Sequence, residues 1–142
     1  MPTSTLTATA DHLLDMAIHL DRNGVWTGGP NFASHTGRRL DIPASAYRAA
    51  AGYLPRVFTL PTDAATADAR RYIEATPAAM DILNVIAEHM TKAWPDLDWT
   101  DDPIDRLANW PNLLGVTPAL ITQTLRDIAH TLDLAATVPA AV

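Results

Sequence analysis

Cysteine is absent from the 142 residues, which removes disulfides, cysteine-ligated zinc, iron–sulfur centres and thiol catalysis together. The lack suits a reducing cytoplasm, where we expect the protein to reside. Lysine is nearly absent as well, with Lys92 standing against nine arginines. That usage, together with abundant Ala, Asp, Thr and Pro, marks a G+C-rich genome and speaks to the host rather than to function. Large apolar side chains are also scarce, because 25 of the residues are alanine. The core must come from a limited set of Leu, Ile, Val, Met and aromatic side chains. Helix is favoured over strand, since alanine is the best helix former and a poor strand residue. Nowhere do 18 apolar residues run together, and the N-terminus MPTSTLTATADHLL has no basic region followed by an apolar stretch. Neither membrane insertion nor secretion is expected.

What is present fits one domain, since a chain of this size buries about two thirds of its unfolded surface. The formal net charge of −6 repels nucleic acid and anionic membrane on average. The charge is uneven, however. Between Gly37 and Arg71 lie six arginines (Arg38, Arg39, Arg48, Arg56, Arg70 and Arg71) against Asp41, Asp63 and Asp68.

Periodicity predicts a first helix over 7–23, with Leu6, Ala10, Leu13, Ala17 and Leu20 on one face and Asn23-Gly24 as its stop. Gly-Gly-Pro and Thr-Gly then break the segment from Val25 to Leu40 into a loop or a small hairpin. Asp41 is placed to cap a second helix carrying Pro43 in its first turn, and Thr62 or Asp63 to start a third, with Ala65, Ala69, Tyr72 and Ile73 inward. A fourth helix presents Ala79, Leu83, Ile86 and Met90; a short fifth follows Pro103, and a last one presents Ile121, Leu125, Ile128 and Leu132. Thr76-Pro77, Asp102-Pro103 and Thr117-Pro118 each set a capping oxygen before a first-turn proline. The expectation is an all-α bundle of five to six helices, with residues 1–134 as one domain and 135–142 as a frayed tail.

The runs LDIPASAYRAAAGYLP, TDAATADARRYIEATPAAMDIL, IDRLANW and TPALITQTLRDIA resemble an uncharacterised actinobacterial family known only as a domain of unknown function. The similarity spans roughly Leu13 to Leu132 and rests on a helix ending near a Gly-Trp turn, an Asp-led alanine-rich helix, and Asn-Trp before a terminal helix. Pro43-Ala44-Ser45 replaces the cysteine- or glycine-bearing start usual there, and Pro111 follows Trp110 in place of an Asn-Asp pair. The resemblance implies an actinobacterial or actinophage setting and carries over no established activity or catalytic residues.

Individual residues add little chemistry. His12 and His19 lie two turns apart, about 10 Å along a helix, which is too far to share one ion. The acidic stretch Asp96, Asp98, Asp101, Asp102 and Asp105 lacks the glycine and terminal glutamate of a calcium loop. No Gly-x-Ser-x-Gly elbow or phosphate-binding glycine pattern occurs. No cofactor or metal is expected, and an enzyme is disfavoured. Arg38 and Arg39 in the loop and Arg70 and Arg71 on the third helix form the best positive feature, able to meet phosphates or an acidic surface. Trp26 and Trp110 read as plugs at the core edge, whereas Trp94 and Trp99 flank Pro-Asp-Leu-Asp as candidate anchors for a partner. The reading is a non-enzymatic interaction or regulatory module with a protein partner. Nucleic acid is the first alternative, disfavoured by net charge, and a small-ligand binder or enzyme of unidentified reaction, with its pocket under the Val25–Leu40 loop, is the second.

Overall fold

The alanine-rich amphipathic segments become six α-helices among residues 3–29, 31–96 and 101–137, the residues that the computed structural model describes. These are α1 (Thr3–Asn23), α2 (Ile42–Ala51), α3 (Asp63–Glu74), α4 (Pro77–Ala93), α5 (Pro103–Asn109) and α6 (Pro118–Thr137). Short 3-10 turns follow α2 at Arg56–Thr59 and α5 at Trp110–Asn112. The fold is all-α, and no helix among the described residues is long and apolar enough to cross a membrane.

Side-chain caps set most of the helix starts. Asp41 Oδ1 accepts the Ala44 N–H at 2.9 Å, Thr62 Oγ1 that of Ala65 at 3.1 Å, Asp102 Oδ1 that of Ile104 at 2.9 Å, and Thr117 Oγ1 that of Leu120 at 3.1 Å. Thr76 departs from the expectation. Its hydroxyl donates back to the Tyr72 carbonyl at 2.8 Å. Because α4 begins three residues after α3 ends, this threonine serves the orphan carbonyl behind it rather than the N–H groups ahead.

The buried face of α1 is Ala10, Leu13, Met16, Ala17 and Leu20, and its most extensive partner is α6, which contributes Ile121, Leu125 and Ile128. From α4 come Ile82, Leu83, Ile86 and Met90. The first six residues of α2 are all buried, since α1, α3, α4 and α5 pack around it. Its alanines make this possible, because a helix of small side chains lets neighbours approach closely. Rings of Phe32, Tyr47 and Phe58 fill the space beside α2, with centroids 5.9 Å apart for Phe32–Phe58 and 5.0 Å for Tyr47–Phe58. Tyr72, expected inside, is 43% exposed. It lies at the edge of this cluster, 6.1 Å from the Tyr47 ring, because α3 turns Ala65, Ala69 and Ile73 inward instead.

One further difference from the sequence reading concerns the C-terminal end. Helix α6 runs to Thr137, so 135–137, expected in the tail, continue the helix; 138–142 lie outside the described residues. Of the two forms expected between Val25 and Leu40, a loop or a small hairpin, the described residues show the loop, with two isolated bridges, Val25 to Leu40 and Ala33 to Leu40.

Among the described residues, Trp110 is the largest fully buried side chain, and its indole N–H has no hydrogen-bond partner there. Trp110→Ala should therefore cost about 3–5 kcal/mol in urea unfolding. Trp110→Phe should cost distinctly less, because it keeps most of the ring and breaks no hydrogen bond. Equal losses in the two variants would contradict this.

Candidate functional site

The loop between α1 and α2 is held by backbone bonds that converge on its last two residues. The Trp26 N–H donates to the Leu40 carbonyl at 2.9 Å, the Asp41 N–H to that of Phe32 at 2.9 Å, and the Ser34 N–H to that of Arg39 at 2.8 Å. Leu40 is fully buried, so the loop is tied to the core at its downstream end. Within it, Trp26 Nε1 donates to the Asn31 carbonyl at 3.1 Å, and Asn31 Nδ2 to that of Ala33 at 2.6 Å. Gly28 lies directly against the Trp26 ring, where a Cβ would stand 2.7 Å from its nearest carbon. Only glycine fits there.

This arrangement roofs a cavity of about 440 Å³ bounded by the loop, α3 and α5. The loop supplies Trp26, Asn31 and Phe32; α3 supplies Asp63, Thr66 and Arg70; α5 and the turn after it supply Asp105, Asn109 and Asn112. Asp41 completes the lining. The volume falls within the range of small-molecule sites, and the lining is more polar than the apolar walls usual for them, which suits a polar ligand.

Two groups in this wall retain unused hydrogen-bonding capacity. Asp41 is 5% exposed. Its Oδ1 takes the Ala44 N–H, and no donor among the described residues reaches Oδ2. Burial pushes the carboxyl well above the usual carboxylate range, and the Ala44 bond offsets only part of that. Thr66 is the other, with a buried hydroxyl that has no partner among the described residues. Arg70, by contrast, is committed. Its guanidinium bonds Asp102, meets Asp105 at 2.9 Å and Glu74 at 3.0 Å, and so clamps α3 to α5 across the cavity rim. Burial opposes its charge, but the three carboxylates more than compensate and hold its pKa above the ordinary value.

The sequence-predicted residues divide between separate places. Arg70 belongs to the wall just described, and Arg71 pairs with Asp68 at 2.6 Å on the surface of α3. Arg38 and Arg39 are exposed and line a different concavity, joined by Arg22 from the end of α1. Trp94 is half-buried, its ring centroid 6.4 Å from that of Trp110; Trp99 lies outside the described residues. Asp15 and His19 each have a partner within the protein. Asp15 faces Arg48 at 3.9 Å, and His19 Nε2 stands 3.0 Å from the Arg38 carbonyl. Burial, then the nearby Arg48 charge, keep the His19 pKa below its ordinary value.

Sequence reasoning cast Asp41 only as a cap and passed over Asn31, Thr66 and Arg22. The available signal was Asp41 itself, a lone charge between the core residues Leu40 and Ile42. Comparison with protein-family models, with curated proteins and with solved structures gives no match. The site must be interpreted from its own chemistry.

The Asp41 carboxyl has a direct consequence for stability. A raised folded-state pKa means that the native state binds a proton the unfolded chain has released, so stability falls as pH rises from about 4 through the folded pKa. Asp41→Asn keeps a good capping oxygen and removes this titration. The melting temperature of the variant relative to the parent should therefore climb over that pH range and level off above it. A difference that stays flat with pH would show the carboxyl to be unperturbed.

Proposed function

We propose that this protein is a non-enzymatic binding module that holds a small polar ligand, one carrying amine or amide hydrogen-bond donors, in the cavity beneath the 24–40 loop. The observation that carries this reading is Asp41. A carboxyl buried at the wall of a cavity, with one oxygen unpaired, is costly without a partner and well used with one. Asp63 adds negative charge at the same wall, and the sole arginine of that lining, Arg70, is already offset by Asp105, Asp102 and Glu74. A donor-bearing ligand fits that balance, and Trp26 and Phe32 offer it apolar surface. Composition and the family resemblance set the module in the cytoplasm of an actinobacterium or its phage.

The test is thermal denaturation against a panel of small amines, amides and carboxylates. Amines or amides should raise the melting temperature in a concentration-dependent way. Asp41→Asn should weaken the response, and Ala67→Phe, which projects from an exposed position of α3 into the cavity, should abolish it without lowering the melting temperature of the free protein. A panel without effect, or a response that survives Ala67→Phe, would remove the cavity as the site.

A second reading, a protein partner, draws support from another surface. Leu114 is fully exposed beside Trp94 and Leu120 on a largely apolar concavity of about 410 Å³, the composition expected of a contact patch. Affinity purification from an actinobacterial host should then recover a stoichiometric protein that resists nuclease and is lost with Leu114→Asp. Recovery unchanged by that substitution would exclude this surface.

A further inference from the structure

The nine arginines are not used alike. Arg48, Arg70, Arg71 and Arg126 each face a carboxylate. Arg106 donates to the Ala87 carbonyl at 3.2 Å and to Thr91 Oγ1 at 2.8 Å. The other four, Arg22, Arg38, Arg39 and Arg56, have no carboxylate partner among the described residues. Three of those four line one concavity of about 510 Å³, with Trp26 and His35. No acidic residue among the described residues lies in this lining.

The gathering is built by the fold. Arg22 projects from the last turn of α1, where the helix dipole favours a cation. Arg38 and Arg39 follow Gly37, whose φ of 74° sharpens the turn that brings them back toward that helix end. Bonds from the Arg38 N–H to Thr36 Oγ1 at 3.4 Å and from the Arg39 N–H to Ser34 Oγ at 3.0 Å fix the turn, and the His19 contact with the Arg38 carbonyl docks it on α1. An anion that enters this concavity meets three guanidiniums and no carboxylate among its lining residues.

We propose that this concavity binds a small phosphate ester or diphosphate, with the oxyanions on Arg22, Arg38 and Arg39 and the organic portion against Trp26. Guanidinium groups match phosphate oxygens in bidentate geometry, and the volume suits one compact ligand. A nucleic-acid polymer fits less well. It would continue past the concavity over a protein of net charge −6, which repels it. This site lies apart from Asp41 and the cavity proposed for the donor-bearing ligand, sharing only the Trp26 wall.

The experiment is calorimetric titration with inorganic pyrophosphate and with adenosine monophosphate, alongside a single-stranded oligonucleotide. The parent protein should bind pyrophosphate at one saturable site. Arg22→Gln and the double variant Arg38→Gln/Arg39→Gln should each weaken it about tenfold or more, the loss expected for a charge-assisted hydrogen bond. Arg56→Gln, an unpaired arginine outside the concavity, should leave it unchanged. All four positions are exposed, and circular dichroism melts should verify that the variants stay folded. Absence of saturable binding, or equal weakening by Arg56→Gln, would overturn the proposal. So would an oligonucleotide that binds more tightly than either small probe with a steep salt dependence, which would make the patch a nucleic-acid surface.

Discussion

The junction of Leu40 and Asp41 governs the rest of the molecule. Leu40 is buried and accepts the Trp26 N–H, while Asp41 donates its own N–H to Phe32 and caps α2 through its carboxyl. Two residues thus seat a helix at the centre of the bundle and pull the preceding loop down upon it. With α2 surrounded by α1, α3, α4 and α5, its entry point has little freedom. The Ala44 bond and the packing of α2 hold the Asp41 side chain inward, and burial there raises its pKa.

Trp26 is the mechanical link between that junction and both concavities. Its backbone is held by Leu40 and its indole by the Asn31 carbonyl, and Gly28 leaves room for the ring. One face of the loop meets the cavity lined by Asp41, Asp63 and Asp105, and the other carries Arg38 and Arg39, with Trp26 common to the two linings. A change in the seating of Trp26 would be felt in both. The loop is long enough to span two sites and tied firmly enough to keep them distinct.

The charged network around Arg70 positions rather than stabilises. Its carboxylates are well exposed, and exposed ion pairs of this kind contribute about 0–1 kcal/mol each. Their effect is to hold α5 against α3 at the cavity rim. Stability comes instead from the apolar stripes of α1, α4 and α6, and from Trp110. That division leaves the polar lining free to serve binding without carrying the fold.

Local rules were enough to read the helices. Apolar residues at three-and-four spacing, capping oxygens ahead of first-turn prolines, and the helix-stopping Asn23-Gly24 all act within a few residues of chain, so the all-α class, the stripes of α1, α4 and α6 and the caps at Asp41, Thr62, Asp102 and Thr117 were legible in sequence. Thr76 and Tyr72 escaped because each answers to a neighbour: the one to the carbonyl end of α3, the other to ring packing against Tyr47. The sites were decided only by tertiary structure. Arg38 and Arg70 are both arginines in an arginine-rich stretch, yet one stays unpaired beside Arg22 and the other is consumed by Asp102 and Asp105, more than thirty residues away along the chain. Asp41 reads as a cap in sequence and becomes a buried acid at a cavity wall once α3 and α5 close around it. Local spacing sets which way a backbone coils; which charges meet, and which are left waiting, depends on segments that only the folded chain brings together.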